Sequence, residues 1–426
     1  MCDEHLKRTG KDKGGRMLKD YGELKQELHR RVLEQLDYGR EQSDEEVMEI
    51  IDEVLLEEQL LRLLPVSESH HLRTELFYSL RRLDILQSLI EDQGITEIMI
   101  NGPGSIFVER AGCLQELDVG FESEEKLQNV IQQIVAGCNR VVNEASPIVD
   151  ARLSNGARVN IVMSPIALNG PIVTIRRFPD TPVTMEELIR WESISREVAE
   201  FLKLLVQAGY NIFISGGTGS GKTTFLNVLS GYIPAWERVI TIEDSAELQL
   251  QGLRNLVRME TRNSNVEGCR EISIRDLIRT SLRMRPNRII VGEVRGAEAV
   301  DMMQCLNTGH DGSMSTGHAN SAQDMLSRLE NMILMGMDIP LSAIKKQIVS
   351  GIDIIVHLGR LRDRSRKVLE VSEVLDCEED RIRLNPLYQF EETGESGEGR
   401  VLGSLVRKGG LVHDQKLKAA GLQLRL

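Results

Sequence analysis

Residues 211–224 read Asn-Ile-Phe-Ile-Ser-Gly-Gly-Thr-Gly-Ser-Gly-Lys-Thr-Thr, and this stretch decides the fold. Gly216, Gly221, Lys222 and Thr223 satisfy G-x-x-x-x-G-K-[ST], the phosphate-binding loop. The apolar run Ile212-Phe213-Ile214 predicts a buried strand before the loop, and Thr224 to Leu229 predicts a helix after it. In such a unit the glycines let the chain turn back so that successive N–H groups converge on phosphate oxygens. The helix N-terminus adds partial positive charge. Every residue of Gly216, Gly217, Thr218, Gly219, Ser220, Gly221, Lys222, Thr223 and Thr224 is therefore a candidate nucleotide ligand. Lys222 is expected to reach the β- and γ-phosphates, and the Thr223 hydroxyl to bind Mg²⁺. The competing reading is a glycine-rich turn without a ligand. Pattern, strand and helix agree against it.

The 426 residues suffice for two or three domains. Aromatic residues make up only 4%, which speaks against base-stacking platforms. The net charge of −13 suits bulk nucleic-acid binding poorly, so no direct nucleic-acid partner is expected; only a local basic groove stays open. No apolar stretch approaches the length of a membrane span. The polar stretch Met1 to Arg16 has no apolar signal core. A cytoplasmic protein that meets the membrane through partners is expected. The six cysteines (Cys2, Cys113, Cys138, Cys269, Cys305, Cys377) form no C-x-x-C pair, which predicts reduced and mostly buried thiols.

Around the loop the chain divides by pattern. Residues 1–69 read as a charged helical extension, with an arm that becomes helical near Tyr21. Residues 41–60 carry many acids and no Lys or Arg. Ser43 and Glu46 make a capping-box pattern there, and Val47, Ile50, Ile51, Val54, Leu55 and Leu60 recur at helical spacing up to Pro65. This helix reads as a solvated face with one packed stripe, or as a docking helix. Residues 70–180 read as a smaller α+β domain. A helix is expected over 70–92, capped by Gly94, and then a hairpin of 97–101 and 106–110. A third strand over 113–119, a helix over 123–137 and strands over 157–163 and 172–178 complete it. Phe178 to Pro182 is turn-rich, and 181–190 reads as linker and start of the core. In 191–426 strands are expected at 211–215, 238–242, 255–260, 288–292, 312–317 and 352–358, with helices between several of them. Such alternation implies an α/β fold, its sheet mostly parallel, with the loop at a strand's carboxyl end. A late hairpin is expected from 367–375 and 381–384, and a disordered loop at 391–400.

Other strand tips carry the rest of a nucleotidase site. Arg288-Ile-Ile-Val-Gly-Glu293 is an apolar strand ending in an acid that can bind Mg²⁺ through water or polarise the attacking water. Val239 to Glu247 brings Glu243, Asp244 and Glu247 to another tip, a crowding of charge that calls for a cation. Asp244 alone also reads as a helix cap. Thr223, Glu293 and Glu247 are the candidate Mg²⁺ ligands. His310 and His318 flank a Gly/Ser-rich segment, and a histidine near a γ-phosphate can sense its loss; a structural histidine is the alternative. Arg152, Arg158, Arg176 and Arg177 precede the linker and are candidates to stabilise phosphoryl charge, or simply surface ion-pair partners. No [NT]-K-x-D segment reads guanine, so ATP is the expected nucleotide.

Together these segments resemble the secretion-ATPase superfamily of type II, type IV pilus and type IV secretion systems, and most of all the CpaF-type ATPases of tight-adherence (Tad) pilus assembly. The matching stretches are Thr96 to Pro103, Asp150 to Val159, Gly216 to Thr224, Thr241 to Asp244, Leu282 to Pro286, Val291 to Glu298 and Thr308 to Ser321. The resemblance implies a RecA-like core and a hexameric ring, with nucleotide held between the N-terminal domain and that core. It implies that 243–247 is the family's Asp box, Glu293 its Walker B acid and His318 its His box. The arginines from Arg152 to Arg177 occupy the region that supplies phosphate-facing arginines. It further implies inner-membrane platform proteins as partners of a motor that moves pilin-like subunits. The four-cysteine metal site usual in type II and extension-type pilus ATPases is absent, which points to the CpaF or type IV secretion branches. A DNA-transfer motor and, in another class, a nucleotide-binding regulatory module without sustained turnover are the alternatives.

Overall fold

The computed structural model describes residues 14–423 except Tyr38, Glu41, Leu63, Leu64, Ala111, Asn139, 178–181, 263–269, Asp380 and Glu398. The chain divides into two compact units, Met1–Phe178 and Pro179–Leu426.

The first unit begins with α1 (Gly14–Gln35), α2 (Asp44–Arg62) and α3 (Val66–Arg81), which bury Leu28, Val32, Val47, Ile51, Val54, Leu72 and Leu76 together. The capping box forms: the Glu46 N–H donates to Ser43 Oγ at 3.2 Å, and the Ser43 N–H to the Glu46 carboxylate at 2.9 Å. The helix expected over 70–92 is two helices, α3 and α4 (Ile85–Glu91). Between them Asp84 takes φ +53°, and the N–H groups of Arg82 and Asp84 both donate to the Tyr78 carbonyl at 3.0 Å, which ends α3. There follow β1 (Ile95–Asn101), β2 (Ile106–Arg110), β3 (Cys113–Leu117), α5 (Glu124–Gly137), β4 (Ile148–Arg152), β5 (Arg158–Val162) and β6 (Ile172–Arg176). The strands make an antiparallel sheet in the order β3-β2-β1-β6-β5-β4. Its buried face holds Ile98, Ile100, Val108, Ile161 and Val173 against Leu127, Ile131 and Ile134 of α5. Edge strand β4 escapes sequence reading because Asp150 and Arg152 break its apolar pattern.

The second unit carries α6 (Met185–Arg190), α7 (Arg196–Gln207), β7 (Ile212–Gly216), α8 (Lys222–Ser230), β8 (Arg238–Glu243), β9 (Asn255–Glu260) and α9 (Ile274–Ser281). It continues with β10 (Arg288–Val291), α10 (Ala299–Leu306), β11 (Met314–His318), α11 (Ala322–Gly336), α12 (Leu341–Gly351) and β12 (Ile354–Arg360). Strands β13 (Arg366–Glu378), β14 (Arg381–Glu395) and β15 (Val401–Arg407) and helix α13 (Gln415–Ala419) end it. One sheet runs β15-β14-β13-β12-β7-β11-β10-β8-β9. From β12 to β9 it is parallel; β13 to β15 pair antiparallel. Ile212 and Ile214 pack with Leu202, Leu226 and Leu229 on one face, while Phe213 packs with Met325 and Leu326 on the other. A strand buried on both faces reads as an unbroken apolar run, as this one does.

Two expectations fail here. Residues 391–400 are not a disordered loop: β14 continues to Glu395 and β15 starts at Val401. Arg362 reaches Glu392 at 2.6 Å and Glu395 at 3.0 Å, which ties the hairpin down. The cysteines are not mostly buried either. Cys305 is buried, Cys113 and Cys138 are half-buried, and Cys377 is exposed; Cys2 and Cys269 lie among residues whose placement is not described.

At the amino end of β10, Arg288 is buried and paired with Glu237. Its NH2 group donates to Glu237 Oε1 at 2.9 Å, its Nε to Oε2, and its NH1 to the Val206 carbonyl at 2.6 Å. A Cβ on Gly312 would meet that guanidinium at 2.4 Å, so this position requires glycine. Removing one partner of a buried pair strands the other charge. Glu237→Ala is expected to destabilise the second unit by about 3–5 kcal/mol in denaturant unfolding; a loss under about 1 kcal/mol would contradict it.

Candidate nucleotide site

The parallel strands bring their carboxyl ends to one edge of the sheet. Gly216, the last residue of β7, pairs with His318 of β11 on one side and with Leu358 of β12 on the other. Val291 of β10 pairs with Ser315 of β11 and with Ile242 of β8. The loop 216–221, His318, Glu293 and Glu243 therefore all follow or end neighbouring strands.

Glycine is required at two loop positions. A Cβ on Gly216 would lie 2.4 Å from the Leu358 carbonyl oxygen and 2.6 Å from Ser220 Oγ. Gly221 is the N-cap of α8 at φ +93°, a left-handed conformation. Gly217, Thr218 and Gly219 are exposed, whereas Ser220 is buried and its hydroxyl donates to the Gly217 carbonyl at 2.9 Å. Among the described residues no side chain caps α8, so its first N–H groups are left without a side-chain acceptor. Thr223 and Thr224 stand in this first turn. An uncapped helix start behind a glycine-built turn fits the phosphate of a nucleotide.

Lys222 is buried, and its Nζ donates to the Gly217 carbonyl at 2.9 Å and lies 3.2 Å from His318 Nδ1. An ammonium only donates, so Nδ1 is the acceptor and the ring proton sits on Nε2. That nitrogen lies 2.8 Å from Glu293 Oε1, a close contact without hydrogen-bond alignment. Glu293 Oε2 in turn receives Arg295 NH2 at 2.8 Å. A continuous polar line thus runs from the loop lysine through His318 to the β10 acid. Burial, followed by the charge of Lys222, holds the His318 imidazole below its ordinary range, which favours the neutral ring.

Glu243 is buried. Its Oε2 accepts the N–H groups of Glu247 at 2.7 Å and Leu248 at 2.8 Å. Burial pushes its carboxyl up to about 7 despite those bonds. Glu243 is thus the anchor of the turn that presents Asp244 and Glu247. Its Oε1 and the buried Thr241 Oγ1 have no hydrogen-bond partner among the described residues, which is uncommon for buried polar atoms. Among the described residues no three His, Cys, Asp or Glu side chains stand close enough to hold a metal ion by themselves; Mg²⁺ is commonly bound through one or two carboxylates plus phosphate oxygens and water.

Not every predicted residue gathers there. His310 lies ahead of the amino end of β11, with Nδ1 3.3 Å from the Cys305 carbonyl oxygen. In the first unit Arg158 and Arg176 are cross-strand neighbours on β5 and β6. Arg152 pairs with Arg158 across β4 and β5. The Arg177 guanidinium donates to the Asp92 carbonyl. Arg295 was not singled out from sequence; its place two residues beyond a strand-ending acid was the available signal.

The family model described as "Type II/IV secretion system protein" matches residues 80–402. The type IV secretion system protein PtlH of Bordetella pertussis is 32% identical over 317 residues, 68% of this chain and 93% of that protein. Conjugal transfer protein TrbB of Rhizobium radiobacter is 30% identical over 312 residues, 72% of this chain and 93% of that one. Among solved structures the pilus retraction motor PilT with bound ADP aligns at a TM-score of 0.50 and 18% identity, over 79% of this chain and 86% of that chain. That likeness shows the fold, an N-terminal domain followed in sequence by an α/β core.

Proposed function

The chain belongs to the type II/IV secretion system protein family, and on that premise we propose that it is an ATP-hydrolysing motor of secretion or pilus assembly. The observation that carries this reading is the line Lys222–His318–Glu293, which links the phosphate loop to a strand-tip acid. Residues Gly216, Gly217, Thr218, Gly219, Ser220, Gly221, Lys222, Thr223 and Thr224 form the nucleotide cradle. Lys222 leaves the Gly217 carbonyl for the β- and γ-phosphates of ATP. Glu293 orients and polarises the attacking water, and Glu247 is the second candidate for that role. Thr223, Glu293 and Glu247 would hold Mg²⁺, partly through water, and the ion supplies neutralisation of charge on the transferred phosphoryl group. His318 exchanges Lys222 for the γ-phosphate and so registers its loss. Of the first unit's candidate arginines, Arg158 and Arg176 are proposed to contribute positive charge to the phosphates. Arg177, engaged by the Asp92 carbonyl, is the weaker candidate.

The finer reading is a hexameric Tad (CpaF-type) motor acting through inner-membrane platform proteins on pilin-like subunits. In it the chain is a cytoplasmic protein at the membrane periphery. No helix of the described residues is long and apolar enough to cross a membrane, which is compatible with that placement. A type IV secretion or DNA-transfer role for the same motor is the second reading, favoured by the names of the PtlH and TrbB relatives. Genetic deletion separates them: loss of pili supports the first, loss of conjugation or effector export the second.

Steady-state phosphate release tests the activity itself. His318→Ala is expected to lower turnover by about 10²-fold, with ATP affinity changed only a few-fold. Unchanged turnover would remove His318 from the mechanism; phosphate release no faster than buffer by the purified wild-type oligomer would leave only the regulatory-module alternative.

A further inference from the structure

The β12–β13 hairpin forms a side wall of the phosphate loop, and it delivers a cation there. Leu358 pairs with Gly216, and the Leu358 carbonyl oxygen stands 2.4 Å from where a Cβ on Gly216 would be. Farther along the hairpin Arg360 pairs with Arg366. The nearest atom to a Cβ built on Gly221 is Arg366 Cδ, at 3.7 Å. Cδ carries the guanidinium's Nε, so in this conformation the charge lies close to the junction of loop and helix. Arg366 is exposed and has no ion-pair or hydrogen-bond partner among the described residues. The neighbouring Arg362 is engaged by Glu392 and Glu395. Of the other cations at this edge, Lys222 faces the loop, Arg295 is held by Glu293, and Arg328 acts on the His318 ring. A nucleoside triphosphate brings several negative charges to a site rich in carboxylates.

From this juxtaposition we infer that Arg366 is a second polyphosphate-binding cation of the nucleotide site, contributed by the same unit as the loop. The inference rests on the nucleotide reading given above. Arg366 donates charge-assisted hydrogen bonds to phosphate oxygens across the glycines at 219 and 221, which leave room for them; a side chain at 221 would close the gap. A guanidinium suits this task through its fixed fork of donors. The chemical class recognised is the polyphosphate chain and not the base.

Calorimetric titration of the full-length protein with MgATP and, separately, with magnesium tripolyphosphate tests this. Arg366→Ala and Arg366→Gln are expected to weaken both ligands by about tenfold or more. Arg362→Ala, on the same hairpin but outside the site, stays within about twofold of wild type on the same scale. Melting of the ligand-free variants verifies folding, and the glutamine variant keeps the stem of the side chain. Unaltered affinity in both Arg366 variants overturns the inference, and so does weakened ATP binding with tripolyphosphate binding intact. Wild-type protein that binds neither ligand would instead overturn the nucleotide reading and this inference with it.

Discussion

Lys222→Ala lowers ATP turnover by about 10²–10³-fold or more, the scale of losing a preorganised charge aimed at the transferring group. The reason is local. The side chain starts in the first turn of α8, directly after left-handed Gly221, and is only 7% exposed. Its Nζ rests on the Gly217 carbonyl and His318 Nδ1, two acceptors from neighbouring strand ends. The substitution also leaves those acceptors without their donor, a loss of about 1–3 kcal/mol for a fully buried group and less where water enters. Thermal melting without nucleotide separates this stability cost from the catalytic one. The variant is expected to lose the rise in melting temperature that ATP gives the wild type. Turnover near wild type would mean that hydrolysis occurs elsewhere.

Glu293→Gln is expected to retain ATP binding and to lower turnover by about 10²–10⁴-fold. The replacement keeps the shape and removes the charge that polarises water. It also disturbs the polar line. Glu293 accepts from Arg295 on one oxygen and faces His318 Nε2 with the other. A glutamine can satisfy Arg295 with its carbonyl oxygen, but its amide then points N–H groups at a nitrogen that carries a proton. Rapid-mixing measurements of nucleotide binding alongside phosphate release distinguish the two effects. Weakened binding with normal turnover per bound ATP would assign Glu293 to binding rather than chemistry.

The phosphate loop and the acidic strand tips were legible because their determinants are local. A doubly buried strand leaves the run Ile212-Phe213-Ile214, and the turn after it leaves glycines at 216 and 221, where side-chain space or left-handed backbone demands them. What escaped was non-local or of ambiguous composition. The break at Asp84 interrupts a sequence whose helical spacing runs on; a single residue at φ +53° decides it. Residues 391–400 look disordered because they are rich in Glu and Gly, yet Arg362, about 30 positions earlier, pairs with two of those acids. Strand order places β12 beside β7, which no periodicity reveals. That pairing is also what brings Arg366 to Gly221. The role of Glu243 was half visible. Its position at a strand tip is a sequence feature, but its use as the acceptor for two N–H groups depends on how the chain turns at 244–248.

The most direct test is a structure of full-length Glu293→Gln protein with MgATP. The account predicts triphosphate density on the N–H groups of residues 219–223, Lys222 Nζ drawn from His318 onto the phosphates, and Glu247 at the same edge of the sheet. Nucleotide bound away from this loop, with the Lys222–His318 contact intact, would contradict it.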